Sequence, residues 1–382
     1  MRAIDALRFD PTATGSSAVR RAERRVQATV TSTAPAAFRC LDCSGTSWKR
    51  SPVRWTCLTC DRAYDCVEGI PKLYREERLG ARDRELRDRF YNGLVGRHYQ
   101  RVMPFLALPA RPIRPYWKGW ITYGAIVVLA WLLTWRAVEL AVLGPQEPLA
   151  VLDVAAVLAL LAAAWFLLRH RYLLGLLGLA LPVAFSLRST RFDPSEGFLD
   201  VHSRAIGQLA DRGRKLRVLD ISTGTCNSLH RHGWMDLDAH YTAVDLSETM
   251  LLQGRRLMAK RGIPVDFVLA DAADLPFCSE TFDVVLNYGA INGMTDIGLA
   301  LAEMSRVTRP GGLVLFFDEQ LYDAPSRVER LYFRSVLSSH NVIDRCPVEL
   351  LPSDLERVDV RQVYPFYYLC IAFKRCRGAN SG

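Results

Sequence analysis

The sequence predicts an α/β protein built on a doubly wound, mostly parallel sheet, with a small cysteine-rich module in front and an apolar helical hairpin inserted before the sheet. Three observations carry that expectation. From Lys215 onward, short apolar runs alternate with helical stretches, the pattern of successive βαβ units. Two CxxC pairs stand near the front of the chain, and the apolar residues concentrate between Gly119 and Leu187.

Composition limits the possibilities before any motif is considered. A chain of 382 residues has room for two or three domains, each with its own core. Half the residues are hydrophobic although 23% are charged, so the apolar residues must cluster, as they do. The net charge of +9 suits nucleic acid, an anionic membrane face, or neither, and does not choose among them. Residues 1–37 contain "RRAERR" and a Thr/Ala/Ser/Pro-rich stretch with no apolar core of signal-peptide length, so they read as a disordered basic arm.

Cys40 and Cys43 form one CxxC, Cys57 and Cys60 the second, with thirteen residues between the pairs. Two short knuckles can each present two thiolates at about 2.3 Å to one tetrahedral zinc ion, and a segment of about 35 residues is too small to fold on apolar burial alone. Disulfides or four unrelated thiols are the alternatives, in a chain where no secretion signal is visible. Cys66 falls outside the pattern. The stretch "FRCLDCSGTSWKRSPVRWTCLTCDRAYDCVEGIPKLY" resembles the zinc ribbons related to the small activator protein of tRNA and rRNA methyltransferases. Tyr64 and Gly69-Ile70-Pro71 fall on that family's aromatic residue and its "GIP". Four thiolates leave no open coordination position, so the zinc reads as structural.

Gly119 to Trp135 is free of charge and extends to Leu143 with only Arg136 and Glu139 interrupting, and Leu149 to Leu168 carries only Asp153. Each is long enough for a hydrocarbon core of about 30 Å at about 1.5 Å per residue. The breaker "GPQEP" joins them, so the pair reads as a helical hairpin. Arg111, Arg114 and Lys118 precede it and Arg169 and Arg171 follow it, which by the positive-inside rule puts both flanks on the cytoplasmic face. Tyr172 to Leu187 is apolar but short and contains Pro182, and reads as re-entrant, interfacial or packed on the next domain. The alternative for the whole insert is a buried hairpin or an oligomer interface.

The runs "KLRVLDIS", "HYTAVDLS", "PVDFVLAD", "TFDVVLNY" and "LVLFFDE" are the expected parallel strands, and "RVDVRQVY" with "YYLCIAFKR" the expected antiparallel pair at the sheet edge. Ligands of such sheets bind at the carboxyl ends of the strands. Asp220, Asp245, Asp271 and Asn287 end the first four runs. The turn "DISTGTC" lacks the GxGxxG spacing of a dinucleotide site, while an acid ending the second strand suits a ribose diol.

These residues carry a second resemblance. The region from about Ser195 to Arg375 is similar to the class I S-adenosylmethionine-dependent methyltransferases, nearest to those of ubiquinone and menaquinone biosynthesis. "VLDISTGTC" falls on that family's "VLDxGxGTG", "YTAVDLSETML" on "xxGVDxSxxML", "ADAADLPFCSETFDVVL" on "xDAxxLPFxDxxFDxV", and "LALAEMSRVTRPGGLVLF" on "xxLxExxRVLKPGGxxxx". The resemblance implies a Rossmann-like methyltransferase sheet with S-adenosylmethionine as cofactor. It places Asp220, Ser222 and Gly224 around the methionine portion, Asp245 at the ribose, Asp271 and Ala272 at the adenine, and Asn287 beside the sulfonium through its backbone, with Leu246 among the cofactor-binding residues. Ser222 is a mild departure from the family's first glycine. Cys226, on its third, leaves weakened or lost cofactor binding open.

"FYNGLVGRHYQRVMPFL", from Phe90 to Leu106, resembles the lid helix that opens the same family's domain. The expected organisation is therefore the arm over 1–37, a zinc ribbon over 38–75, a linker and lid helix over 76–118, a membrane insert over 119–187 and the methyltransferase domain over 188–382. Catalytic residues are left unassigned, with Tyr91, His98, Tyr99 and His202 as the candidates should the acceptor have to lose a proton. The expected function is a membrane-anchored, multi-pass methyltransferase at the cytoplasmic face acting on a lipophilic small molecule such as a quinone, polyketide or lipid. RNA methylation guided by the ribbon, or a degenerate scaffold without catalysis, are the alternatives; against the first, the fourth strand ends in "NYGA" and not in "[DN]PP[YF]", so nucleic acid is not the expected partner.

Overall fold

In the chain's computed structural model, residues 36–99, 204–205, 207, 215–231, 234–325, 327–338 and 341–376 are described. Every apolar run singled out from Lys215 onward is a strand. They are β5 (Leu216–Ile221), β6 (Ala239–Asp245), β7 (Val265–Leu269), β8 (Phe282–Tyr288), β9 (Thr308–Glu319), β10 (Leu355–Tyr364) and β11 (Tyr367–Lys374). Preceding them, β1 (Trp48–Arg50), β2 (Arg54–Cys57), β3 (Ala63–Val67) and β4 (Ile70–Pro71) make a separate antiparallel sheet in the order β1-β2-β3-β4.

The large sheet runs β10-β11-β9-β8-β5-β6-β7. Strands β5 to β9 pair in parallel and β11 pairs antiparallel with both β9 and β10. Both faces of its centre are covered, which is why these strands read as nearly continuous apolar runs. Leu219, Ile221, Val285, Val314 and Phe316 face one core with Ala300, Leu301 and Met304. Leu216, Val218, Val284, Leu286 and Leu315 face the other.

Helices lie between the strands, and two of them start at a side-chain cap. Among them are α1 (Ala81–Glu85), α2 (Asn227–Arg231), α3 (Glu248–Lys260) and α4 (Ile297–Val307). Ser247 caps α3, its Oγ accepting from Met250 N at 3.2 Å, and Asp296 caps α4, its side chain accepting from Leu299 N at 2.9 Å. Each satisfies an N–H that the helix itself leaves unpaired.

The small sheet lies against the β7 edge. Lys72 bridges to Leu269 in parallel, Leu73 N donates to Leu269 O at 2.8 Å, and Ile70, Tyr74 and Leu79 pack with Leu251 and Leu269. An edge strand that would otherwise present open N–H and C=O groups is thereby partly covered.

The expected transmembrane hairpin and multi-pass location are corrected at this point. Among the described residues no helix is long and apolar enough to cross a membrane. The longest of those labelled above, α3, has 13 residues, about 20 Å of helix against the roughly 30 Å required. The fold class of the described residues is therefore the Rossmann-like sheet with its cysteine module, and the inserted hairpin has no support among them; residues 119–187 themselves lie outside the described residues. Of the expected lid, Phe90 to Leu106, the first two residues end the helix Leu86–Tyr91 and Leu94–Arg97 is helical, with a break at Asn92–Gly93, while residues 100–106 lie outside the described residues.

Candidate active site

Strand β5 has β6 on one side and β8 on the other, so its carboxyl end opens onto the crevice where the winding of the sheet reverses. The turn that follows takes left-handed backbone at Ser222 (φ 53°), Gly224 (φ 56°) and Cys226 (φ 58°). Thr223 N donates to Val244 O at 3.0 Å and Gly224 N to Asp245 Oδ2 at 2.8 Å, tying the turn to the end of β6. A Cβ on Gly224 would come within 3.2 Å of the Met250 methyl, so the position is restricted by space as well as by φ.

Asp220 is 1% exposed. Its Oδ2 accepts from the Thr223 hydroxyl at 2.5 Å, while Oδ1 has no partner. Burial pushes this carboxyl up to about 7; the Thr223 hydroxyl opposes the rise and the neighbouring Asp245 adds to it. Asn287 shows the same half-satisfied state, its Nδ2 donating to Ile221 O at 3.0 Å and its Oδ1 unpartnered. Two buried acceptor oxygens thus wait for donors at the adjacent ends of β5 and β8. Orphans of this kind are rare in folded proteins and fit a ligand that brings N–H or ammonium groups.

Asp245 accepts from Gly224 N through one oxygen and from Ser247 N through the other, both at 2.8 Å. Burial raises it to about 6 against the backbone N–H groups of Ser247, Gly224 and Leu246. Each oxygen keeps a further acceptor site, so two hydroxyls of a diol can still be received. Leu246 packs with the Ile70, Tyr74 and Leu79 cluster. Ala270 N donates to Asp245 O at 3.1 Å, which brings Asp271 and the buried Ala272 beside the same end of the sheet. Asp271 Oδ1 accepts from Ala273 N at 2.9 Å, and burial raises its carboxyl. The structure therefore joins Asp220, Ser222, Gly224, Asp245, Leu246, Asp271, Ala272 and Asn287 along the carboxyl ends of four adjacent strands.

Cys226 faces away from that site. Its side chain is fully buried with Ala243 and Met258, and packs against Leu257, Ile263, Val265 and Phe267 under α3. Space for the sulfur comes from Gly254, where a Cβ would stand 3.3 Å from Cys226 Sγ and 3.2 Å from the Thr225 carbonyl carbon. Thr223 Oγ1 lies 3.3 Å from the sulfur, and burial raises the thiol pKa. The departure from glycine adds a side chain to the core below the turn, not to the cofactor's side of it.

Sequence reasoning missed three contributors. Thr223 orients Asp220. Asn92, in the break of the lid, accepts from Ser247 Oγ at 2.7 Å and from Thr249 N at 3.3 Å, seating the lid on the first turn of α3. Asp318, next to last in β9, is a buried acid that accepts from Asn292 N at 2.8 Å and Glu319 N at 2.9 Å; burial and the adjacent Glu319 raise it. The motif "FFDE" carried this signal, being one more strand that ends in acids. Of the candidate bases, Tyr91 has its hydroxyl raised by burial, then by Tyr99, Asp245 and Glu319. His98 is exposed, and His202 lies outside the described residues.

The cysteine module supplies a second potential ligand set. Cys40, Cys43, Cys57 and Cys60 place their sulfurs within 4.8 Å of one another, with Cys40 to Cys60 at 3.7 Å and Cys43 to Cys57 at 3.6 Å. A tetrahedron with bonds of about 2.3 Å has edges of about 3.8 Å, so the set fits one zinc ion. Both knuckles have the same backbone: Ser44 N donates to Cys40 O and Asp61 N to Cys57 O, with Ser44 and Asp61 left-handed. Gly45 N and Thr59 N point at Cys43 Sγ and Cys57 Sγ, at 3.3 and 3.4 Å.

Residues 219–316 match the family model described as a methyltransferase domain. The ubiquinone/menaquinone biosynthesis C-methyltransferase of Burkholderia cenocepacia is 35% identical over 125 residues, 32% of this chain and 51% of the relative. A malonyl-[acyl-carrier protein] O-methyltransferase of Yersinia pestis is 30% identical over 137 residues, 36% and 49% of the two chains. Among solved structures, phosphoethanolamine N-methyltransferase 2 of Haemonchus contortus with S-adenosyl-L-methionine aligns at a TM-score of 0.39 and 15% identity, over 46% of this chain and 52% of that one. The chain thus spans about half the length of the curated relatives it matches. The stretch from Leu219 to Phe316, with the four motifs in order on one sheet, is similar to a methyltransferase domain, which supports an S-adenosylmethionine-dependent methyltransferase.

Proposed function

We propose that the protein transfers a methyl group from S-adenosylmethionine to a lipophilic small molecule, a quinone, polyketide or lipid, and that its four cysteines hold a structural zinc ion. The observation that carries the cofactor reading is the unpartnered Asp220 Oδ1 beside a loop tied to Asp245. S-adenosylmethionine supplies an already activated sulfonium methyl, so the protein's task is positioning and exclusion of water. In this reading Asp220 receives the methionine ammonium, Asp245 the ribose hydroxyls, Asp271 and Ala272 the adenine, and Asn287 lines the sulfonium. The Asn92 contacts to Ser247 and Thr249 hold the lid over the ribose acid.

Two observations favour a flat, apolar acceptor. The matched quinone-pathway relative is a C-methyltransferase. Beside Asn287, Tyr288 continues into an aromatic group in which Phe317 stacks on Tyr367 at 5.0 Å and 13° and meets Tyr364 edge-on at 6.2 Å. Such a platform suits a ring that is stacked, not one gripped by charges. The test is transfer of a labelled methyl group from S-adenosylmethionine to lipid extracts of cells lacking the gene. Label in a lipophilic product supports the reading; no transfer to lipids by protein that binds the cofactor removes this acceptor class.

A further inference from the structure

We propose that Arg75 is a positioning residue that couples the four-cysteine centre to the cofactor site, so that each ligand strengthens binding of the other. The inference rests on the functional reading above and extends it to regulation of the same site. One flank of the cysteine module pairs with the stretch that follows β7 and the other with the end of β7 itself. Ahead of the knuckles, Phe38 bridges to Phe277, Arg39 N donates to Pro276 O at 3.0 Å, and Cys278 N donates to Ala37 O at 2.8 Å. Behind them, Lys72 and Leu73 extend the β7 edge at Leu269. The turn from Asp271 to Asp274, closed by Asp274 N donating to Asp271 O at 3.2 Å, is held between these two flanks.

A continuous polar chain crosses that junction. The Tyr64 hydroxyl lies 3.7 Å from Cys40 Sγ and donates to Asp42 Oδ2 at 3.2 Å. Asp42, inside the first knuckle, pairs through Oδ1 with Arg75 Nη1 at 3.6 Å. Arg75, whose side chain is only 9% exposed, donates through Nη2 to Asp274 Oδ2. Asp274 Oδ1 accepts from Arg39, which also reaches Glu303, and Glu303 accepts from Leu275 N at 2.7 Å. Arg75 is the link that touches both the knuckle and the adenine turn. A knuckle held by its metal fixes Asp42, Asp42 and Asp274 fix the guanidinium fork, and the fork fixes the turn that carries Asp271 and Ala272. Coupling between two binding events is reciprocal, so the effect must be readable from either ligand.

The experiment uses the full chain, with zinc counted by mass spectrometry, S-adenosylmethionine affinity measured by calorimetry, and zinc release timed with a colorimetric chelator. In the native protein S-adenosylmethionine should slow zinc release several-fold. Arg75→Ala should retain its zinc, weaken S-adenosylmethionine binding about tenfold, equivalent to about 1.4 kcal/mol, raise KM for the cofactor more than it lowers kcat, and abolish the slowing. Arg75→Lys, which keeps the charge but not the fork, should recover part of each effect. Should Arg75→Ala fail to fold, Asp42→Asn breaks the chain at its exposed end and is expected to show the same loss of slowing. Native affinity in Arg75→Ala, or zinc release indifferent to S-adenosylmethionine in native protein, overturns the coupling while leaving the methyltransferase reading intact. Native protein that binds no S-adenosylmethionine overturns both.

Discussion

The cysteine module and the large sheet solve the same folding problem with different means. The sheet buries a double core in which Leu219, Val285, Val314 and Phe316 are fully enclosed. In the module, Trp48 and Trp55 are only partly buried, Val53 and Leu58 are exposed, and the knuckles meet at four sulfurs. Burial stabilises the first region in many small increments; in the second, burial of Phe38, Tyr64, Ile70 and Leu73 would be supplemented by the proposed zinc ion at one ligand set. A substitution in the sheet should therefore have a graded effect, and one in the knuckles an all-or-none effect.

The largest effect is expected from Cys57→Ser. If the four sulfurs hold the proposed zinc ion, losing one thiolate removes or severely weakens metal binding worth on the order of 10 kcal/mol. Hydrogen exchange should show the amides of β2 and β3 losing protection while those of β5 and β8 keep theirs; equal loss in both regions would erase the contrast. Leu219→Ala sharpens it from the other side. Removing a fully buried side chain there is expected to cost about 2–5 kcal/mol of global stability in denaturant melts, with zinc content unchanged.

Smaller effects belong to the cofactor loop. Cys226→Gly relieves a left-handed non-glycine residue, worth about 1 kcal/mol, and leaves a void of similar cost. Its affinity for S-adenosylmethionine should change by less than about threefold, because the sulfur lies beneath the turn and not in the site. A large gain would show that the thiol obstructs the cofactor.

The strand runs and both CxxC pairs were legible because each is written locally, in short continuous apolar runs between helical stretches or in fixed ligand spacing. Asp220, Asp245, Asp271 and Asn287 were legible for a related reason: topology sends strand ends to one crevice. What stayed hidden depends on contacts between distant segments. Nothing near Cys226 announces that Gly254, on another element, makes its room. Nothing near Arg75 announces Asp274. The expected membrane hairpin came from hydropathy scored segment by segment, and the helices among the described residues do not reach the length it needs.

The protonation of Asp220 gives the most direct test of the central claim, that this strand end receives the cofactor's ammonium. A carboxyl raised to about 7 by burial favours its protonated form in the unliganded fold. That stabilising contribution is complete below the unfolded value near about 4 and is lost as pH rises through about 7. A cationic ligand, by contrast, is held best by the ionised form. Calorimetric titration of S-adenosylmethionine should therefore give one-to-one binding that tightens several-fold between about pH 6 and about pH 8, with proton release near neutrality. Asp220→Asn should bind at least about tenfold more weakly and show a much flatter pH dependence. Binding that ignores pH and survives Asp220→Asn unchanged, or no binding at all, would contradict the claim.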